Sequence, residues 1–139
     1  MAHSVAIGIR DGFAAVTCKT ASFTLNGSGT SMSGIGSAIG GADITMNDSA
    51  LTFEMTGQDI FAIGSRNGMT KIGMRQCDLF IRAEGNRAMD IGSFKKDAEL
   101  TVIDTNVDIK MLSSRVLHFA GDPTHCIYSG GKSTVVINQ

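Results

Sequence analysis

The chain repeats itself every 28 residues. Ser49-Ala50-Leu51-Thr52-Phe53-Glu54-Met55 superimposes on Cys77-Asp78-Leu79-Phe80-Ile81-Arg82-Ala83. It superimposes again on Thr105-Asn106-Val107-Asp108-Ile109-Lys110-Met111 and on Ser133-Thr134-Val135-Val136-Ile137-Asn138-Gln139. One step back lies Ala21-Ser22-Phe23-Thr24-Leu25-Asn26-Gly27. A second block keeps the same phase: Ala6-Ile7-Gly8-Ile9, Gly34-Ile35-Gly36-Ser37, Ala62-Ile63-Gly64-Ser65, Asp90-Ile91-Gly92-Ser93 and His118-Phe119-Ala120-Gly121, with no insertion or deletion in the count. A unit this short cannot bury its own apolar face. It must stack on copies of itself, which makes a solenoid.

Within one unit the apolar residues alternate. Ile44 and Met46 do so, then Leu51, Phe53 and Met55, then Phe61 and Ile63. Alternation of period two is the pattern of a strand with one face inward. Gly57, and Gly64 with Ser65, fall where corners are needed. Residues 28 apart then stack into columns: Phe23, Leu51, Leu79, Val107, Val135; Leu25, Phe53, Ile81, Ile109, Ile137; Ile7, Ile35, Ile63, Ile91, Phe119. Small residues make two more columns: Ala21, Ser49, Cys77, Thr105, Ser133, and Ala14, Ala42, Thr70, Ala98, Cys126. The outward columns are polar, with Glu54, Arg82 and Lys110 in one and Asp59 and Arg87 in another. The expectation is one all-β domain over residues 1–139, a parallel β-solenoid of about five coils.

The bulk numbers exclude several functions. Twelve basic against thirteen acidic residues give a net charge of −1, so the cationic field that nucleic-acid binding requires is missing. No apolar run reaches the length of a membrane span. Met1-Ala2-His3-Ser4 has neither a basic n-region nor a long apolar stretch, so the expectation is cytoplasmic synthesis without a signal peptide. Cys18, Cys77 and Cys126 lie in different phases, with successive cysteines more than one and a half coils apart. With coils about 4.8 Å apart they are out of disulfide reach and read as buried free thiols.

The pattern I-T-M-x-x-x-x-L-x-F-x-M…A-I-G-S resembles the Gly-rich right-handed parallel β-helix repeats of bacterial surface and carbohydrate-binding-like proteins. More widely, the chain resembles the pectate-lyase-like superfold and the β-helical modules of phage tails and spikes. The resemblance implies a right-handed parallel β-helix with 28 residues per coil. A coil of this length is longer than the hexapeptide-built coils of left-handed β-helices. The family's catalysis does not carry over, because no two carboxylates are stacked on adjacent coils of one column here as a paired acid–base mechanism needs.

Chemistry is sparse. Asp90 with His118, and Asp97 with His125, are each 28 apart near one corner. They are weak candidates for a metal or acid–base pair and read first as polar ladders, since no third ligand follows. The Gly36-Ser37, Gly64-Ser65 and Gly92-Ser93 column reads as corner glycines, since a phosphate loop needs Gly-Lys-Ser/Thr opening a helix. Phe80 and Phe94 read as outward rings on which a glycan could stack. No cofactor and no catalytic residue is expected.

The ends say more. Solenoids hide their terminal edges under caps, and none is visible here. The partial coils, Met1 to Ala15 and Tyr128 to Gln139, together fall one residue short of a full coil. The leading expectation is therefore a non-catalytic structural or assembly module, a component of a filament, fibre or phage-like particle. It would form homo-oligomers through open edges at Val5, Ile7, Val135, Val136 and Ile137. The alternative is a glycan-binding surface module.

Overall fold

The computed structural model describes residues 3–121, 124–128 and 133–138. Every regular element among them is a β-strand: β1 (His3–Ile9), β2 (Ala14–Lys19), β3 (Ser22–Ser37), β4 (Ala42–Asn47), β5 (Ala50–Ser65), β6 (Thr70–Arg75), β7 (Asp78–Ser93), β8 (Ala98–Ile103), β9 (Asn106–Leu117), β10 (Thr124–Tyr128) and β11 (Thr134–Asn138). They alternate between a six-stranded sheet, in order β1-β3-β5-β7-β9-β11, and a five-stranded sheet, in order β10-β8-β6-β4-β2. All pairings are parallel, and Leu51 lies opposite Leu79, Phe53 opposite Ile81 and Ile63 opposite Ile91. This is a β-solenoid of about four turns rather than five, because the first and last coils are partial.

The core is built by the predicted columns. Phe53, Ile63, Ile81, Ile91 and Ile109 are fully buried. From the five-stranded sheet Ile44, Met46, Ile72, Met74, Leu100 and Val102 close the interior. The 16-residue strands β5 and β7 change character along their length. Their first halves alternate buried and exposed residues, whereas residues 60–65 and 88–93 are buried without a break. Ala62 and Ile63 both join the core, so the alternation slips by one at that bend. Phe61 therefore does not share a face with Ile63, as strict alternation predicts. It is buried outside the main core, with its ring 5.8 Å from that of Phe94.

Two corner columns do work that their composition did not announce. Ser37, Ser65 and Ser93 are fully buried. Their hydroxyls donate to the carbonyls of Gly12, Gly40 and Gly68 at 2.7, 2.6 and 2.7 Å. They accept from the amides of Gly40, Gly68 and Lys96 at 3.0, 2.9 and 3.0 Å. Each serine thus braces its own corner and ties it to the corner of the preceding coil. Just before each serine, Gly36, Gly64 and Gly92 take φ values of 135°, 127° and 130°, and any Cβ there would collide with the carbonyl of the next coil. At the other corner Thr20, Asp48, Gln76 and Asp104 all adopt left-handed φ near 50° (51°, 49°, 54° and 47°). This conformation is uncommon for non-glycine residues. Here it is supported by the small column that follows: Ser49 and Thr105 donate to Asn47 and Ile103 carbonyls at 2.8 Å each.

The register is not uninterrupted. Gly92 pairs with Ala120 and Asn106 with Thr134, both 28 apart, but β10 sits on β8 with Thr124 opposite Ala98 and Cys126 opposite Leu100, an offset of 26. The expected Ala98–Cys126 column is therefore absent. The last coil carries Ala120-Gly121 where its predecessors carry Gly-Ser. From that point the chain reaches the next strand two residues early. The shift is even, so it keeps the same parity of faces.

Candidate functional site

The two carboxylate–histidine pairs separate. Asp97 is exposed, and the shifted register puts His125 opposite Glu99 rather than beside Asp97. The His125 side chain lies outside the described residues, as does that of Cys126. The stacking read from the count of 28 fails there for the reason just given.

Asp90 and His118 do meet, and not as a surface ladder. Asp90 is completely buried. Its Oδ2 lies 2.6 Å from His118 Nδ1. Its Oδ1 accepts the amides of Ile91 at 2.6 Å and Phe119 at 2.8 Å. On the earlier coils this column holds Ala6, Gly34 and Ala62, so Asp90 stands where its predecessors are small. The β7–β9 ladder runs as far as Met89 opposite Leu117 and resumes at Gly92 opposite Ala120. Asp90 fills the gap, giving the Phe119 amide its acceptor where the strands part. Phe119 itself has φ 46°, a strained value for a bulky residue.

The electrostatics of Asp90 pull two ways. Burial raises its pKa, while the His118 contact and the two amides lower it; burial prevails and the carboxyl sits above its ordinary range. Chemically the pair is an oriented imidazole on a backbone clamp. Among the described residues no group of three His, Cys, Asp or Glu side chains is placed to hold a metal ion.

The two outward phenylalanines differ. Phe94 is partly covered: Phe61 packs against it, and the Arg87 guanidinium lies 4.6 Å from its ring centre. Arg87 Nε also donates to Asp59 Oδ1 at 3.2 Å. Phe80 is half-buried on the outer face of the six-stranded sheet, in an open depression of about 390 Å3 also lined by Thr52, Asp78, Asn106, Asp108 and Val136. Asn106 Nδ2 donates to Asp78 Oδ1 at 3.0 Å.

Cys18 and Cys77 are buried and free, and burial pushes both thiols up. Cys77 Sγ donates to the Met46 and Arg75 carbonyls at 3.3 Å each, the role Ser49 and Thr105 play in its column. Among the described residues no helix is long and apolar enough to cross a membrane.

At the ends, β1 covers β3 only from Ser31 to Ser37. Residues 22–29 of β3 have no strand on that side among the described residues, and Phe23 and Leu25 are half-buried where Leu51 and Phe53 are buried. Val5 and Ile7 are half-buried on β1. On β11 Val135 is half-buried, while Val136 and Ile137 are 44% and 39% exposed. The sequence marked the end strands but not the uncovered stretch of β3, although the short first block already implied it.

In comparisons with known proteins, no family model matches the chain, and no curated protein and no solved structure matches it. The likeness to pectate-lyase-like and phage β-helices thus rests on the parallel solenoid alone.

Proposed function

We propose that the chain is a non-catalytic structural module that joins further copies of itself, or a like solenoid, through the strand edges at its two ends. Such a unit would serve in a filament, fibre or phage-like particle. In this reading the coil winds right-handed, as parallel strand–crossover–strand connections do in nearly all cases. The observation that supports the reading is the half-coil step at each end. At one end residues 22–29 of β3 have no strand on one side among the described residues, beside half-buried Phe23 and Leu25. The other offers β11, which lies on the first half of β9 with an exposed Val136 and Ile137. Unpaired N–H and C=O groups next to apolar side chains favour strand addition. A second copy seated with β11 against β3 would continue the columns, Val135 over Phe23 and Ile137 over Leu25.

Light scattering across a wide concentration range tests this. The expected outcome is mass growth with concentration. Val136→Pro removes a ladder donor from the joining strand and should lower the association while circular dichroism keeps the β signal of the inner coils. A wild-type chain that stays monomeric at high concentration, or a Val136→Pro variant that associates equally well, removes the basis for the proposal.

A further inference from the structure

The depression around Phe80 has a matched partner within the molecule itself. At Phe94 a guanidinium lies on an aromatic ring at 4.6 Å while its Nε donates to the Asp59 carboxylate at 3.2 Å. At Phe80 the ring and the carboxylates are present, and among the described residues no cation lies on the ring. Strand register sets Phe80 beside Asp108 and Asp78 beside Asn106. The four positions form a rectangle roughly 4.8 Å across the strands and 6.7 Å along them. Phe80 occupies one corner, and Asp78 and Asp108 sit across the diagonal. The Asn106 amide holds Asp78 in place. Among the described residues no Lys or Arg lines the depression; Arg82 and Lys110 stand at the next outward position along β7 and β9, and neither forms an ion pair with Asp78 or Asp108.

We propose that this depression binds a guanidinium group, the side chain of an arginine presented by a polypeptide. A ring face attracts a cation. A planar guanidinium can lie flat on the ring while its N–H edges reach carboxylates on two sides, which a compact ammonium does less well. An acidic ligand is repelled by Asp78 and Asp108. A neutral sugar can stack on the ring but draws nothing from the net charge.

The test is an amide NMR titration with N-acetyl-arginine amide, alongside N-acetyl-citrulline amide, N-acetyl-lysine amide and a neutral cello-oligosaccharide. The expected result is saturable shifts confined to residues 78–80 and 106–108, weakened by added salt. Citrulline, with the same shape and no charge, should bind at least about fivefold more weakly, and lysine should fall between. Phe80→Ala and Asp108→Asn should each weaken arginine binding by about three- to fivefold. Both residues face outward, so unchanged spectra elsewhere report an intact fold. Equal or tighter binding of citrulline or the oligosaccharide overturns the proposal. So does arginine binding that survives Phe80→Ala, or the lack of a saturable shift at these residues.

Discussion

The corner that follows Gly64 and the corner that follows Phe119 turn the same chain in the same solenoid, yet different chemistry holds them. The first rests on backbone: a glycine at φ 127° closely overlaid by the next coil, then a serine that braces two corners at once. The second has lost both residues. Ala120 stands in the glycine column and Gly121 in the serine column. The left-handed turn has moved onto Phe119, and Asp90 collects three hydrogen bonds to hold it. The glycine requirement comes from the coil above, since a Cβ on Gly92 would collide with the Ala120 carbonyl. Ala120 pairs only with Gly92 among the described residues, so no further coil imposes that requirement on it, and a side chain takes over the backbone's task.

Breaking the first corner should have the largest effect. Gly64→Ala places a Cβ against the Gly92 carbonyl at an unfavourable φ and should cost more than about 3 kcal/mol, whereas Ala120→Gly should stay within about 0.5 kcal/mol. Urea unfolding of both variants measures the contrast; similar losses would mean the two corners are equally constrained. Next comes Ser65→Ala, which strips partners from the Gly40 carbonyl and the Gly68 amide. Its expected cost is about 1–3 kcal/mol, read from the same melts.

Asp90 sharpens the second corner. Its folded pKa is raised, so the proton binds more tightly in the native state. Its favourable contribution is therefore complete below the ordinary aspartate pKa of about 3.9 and is lost as pH rises through the raised value. Asp90→Asn keeps an acceptor for the Phe119 amide without the buried charge. Its stability relative to wild type should rise with pH across that window and be equal or higher at neutrality. Asp90→Ala removes this acceptor from the Phe119 amide and should lose about 1–3 kcal/mol at acid pH, the deficit narrowing as pH rises across the same window. A wild-type chain that gains on the Asn variant as pH rises would show that the contacts, not burial, govern the carboxyl.

The smallest effect belongs to the opposite corner. Gln76→Gly relieves a left-handed φ of 54° and should stabilise by up to about 1 kcal/mol, the relief partly offset by glycine's greater unfolded freedom. A loss of stability in thermal melts would show that the Gln76 side chain matters more than its backbone.

The columns were legible because apolar residues 28 apart can pair in only one way: Phe53, Ile81 and Ile109 had to stack, and they do. The shift at β10 was not legible. Counting carries a period forward, but nothing in residues 118–128 repeats the Gly-Ser landmark that fixes where the corner ends. Asp90 was visible as a candidate yet misjudged as surface, although the small residues of its column pointed inward. The left-handed turns at Thr20, Asp48, Gln76 and Asp104 carry no glycine and so gave no signal.

The serine braces reach exactly one corner back, from Ser65 to Gly40 and from Ser93 to Gly68. A chain tied this way has a natural unit of editing. Excising or duplicating a whole coil between residues 22 and 105 leaves every column and every brace with a partner. A change of any other length leaves corners untied on both sides of the cut. Such a protein can lengthen by copying itself in multiples of 28 and in no smaller step, which makes its length a quantity counted in coils.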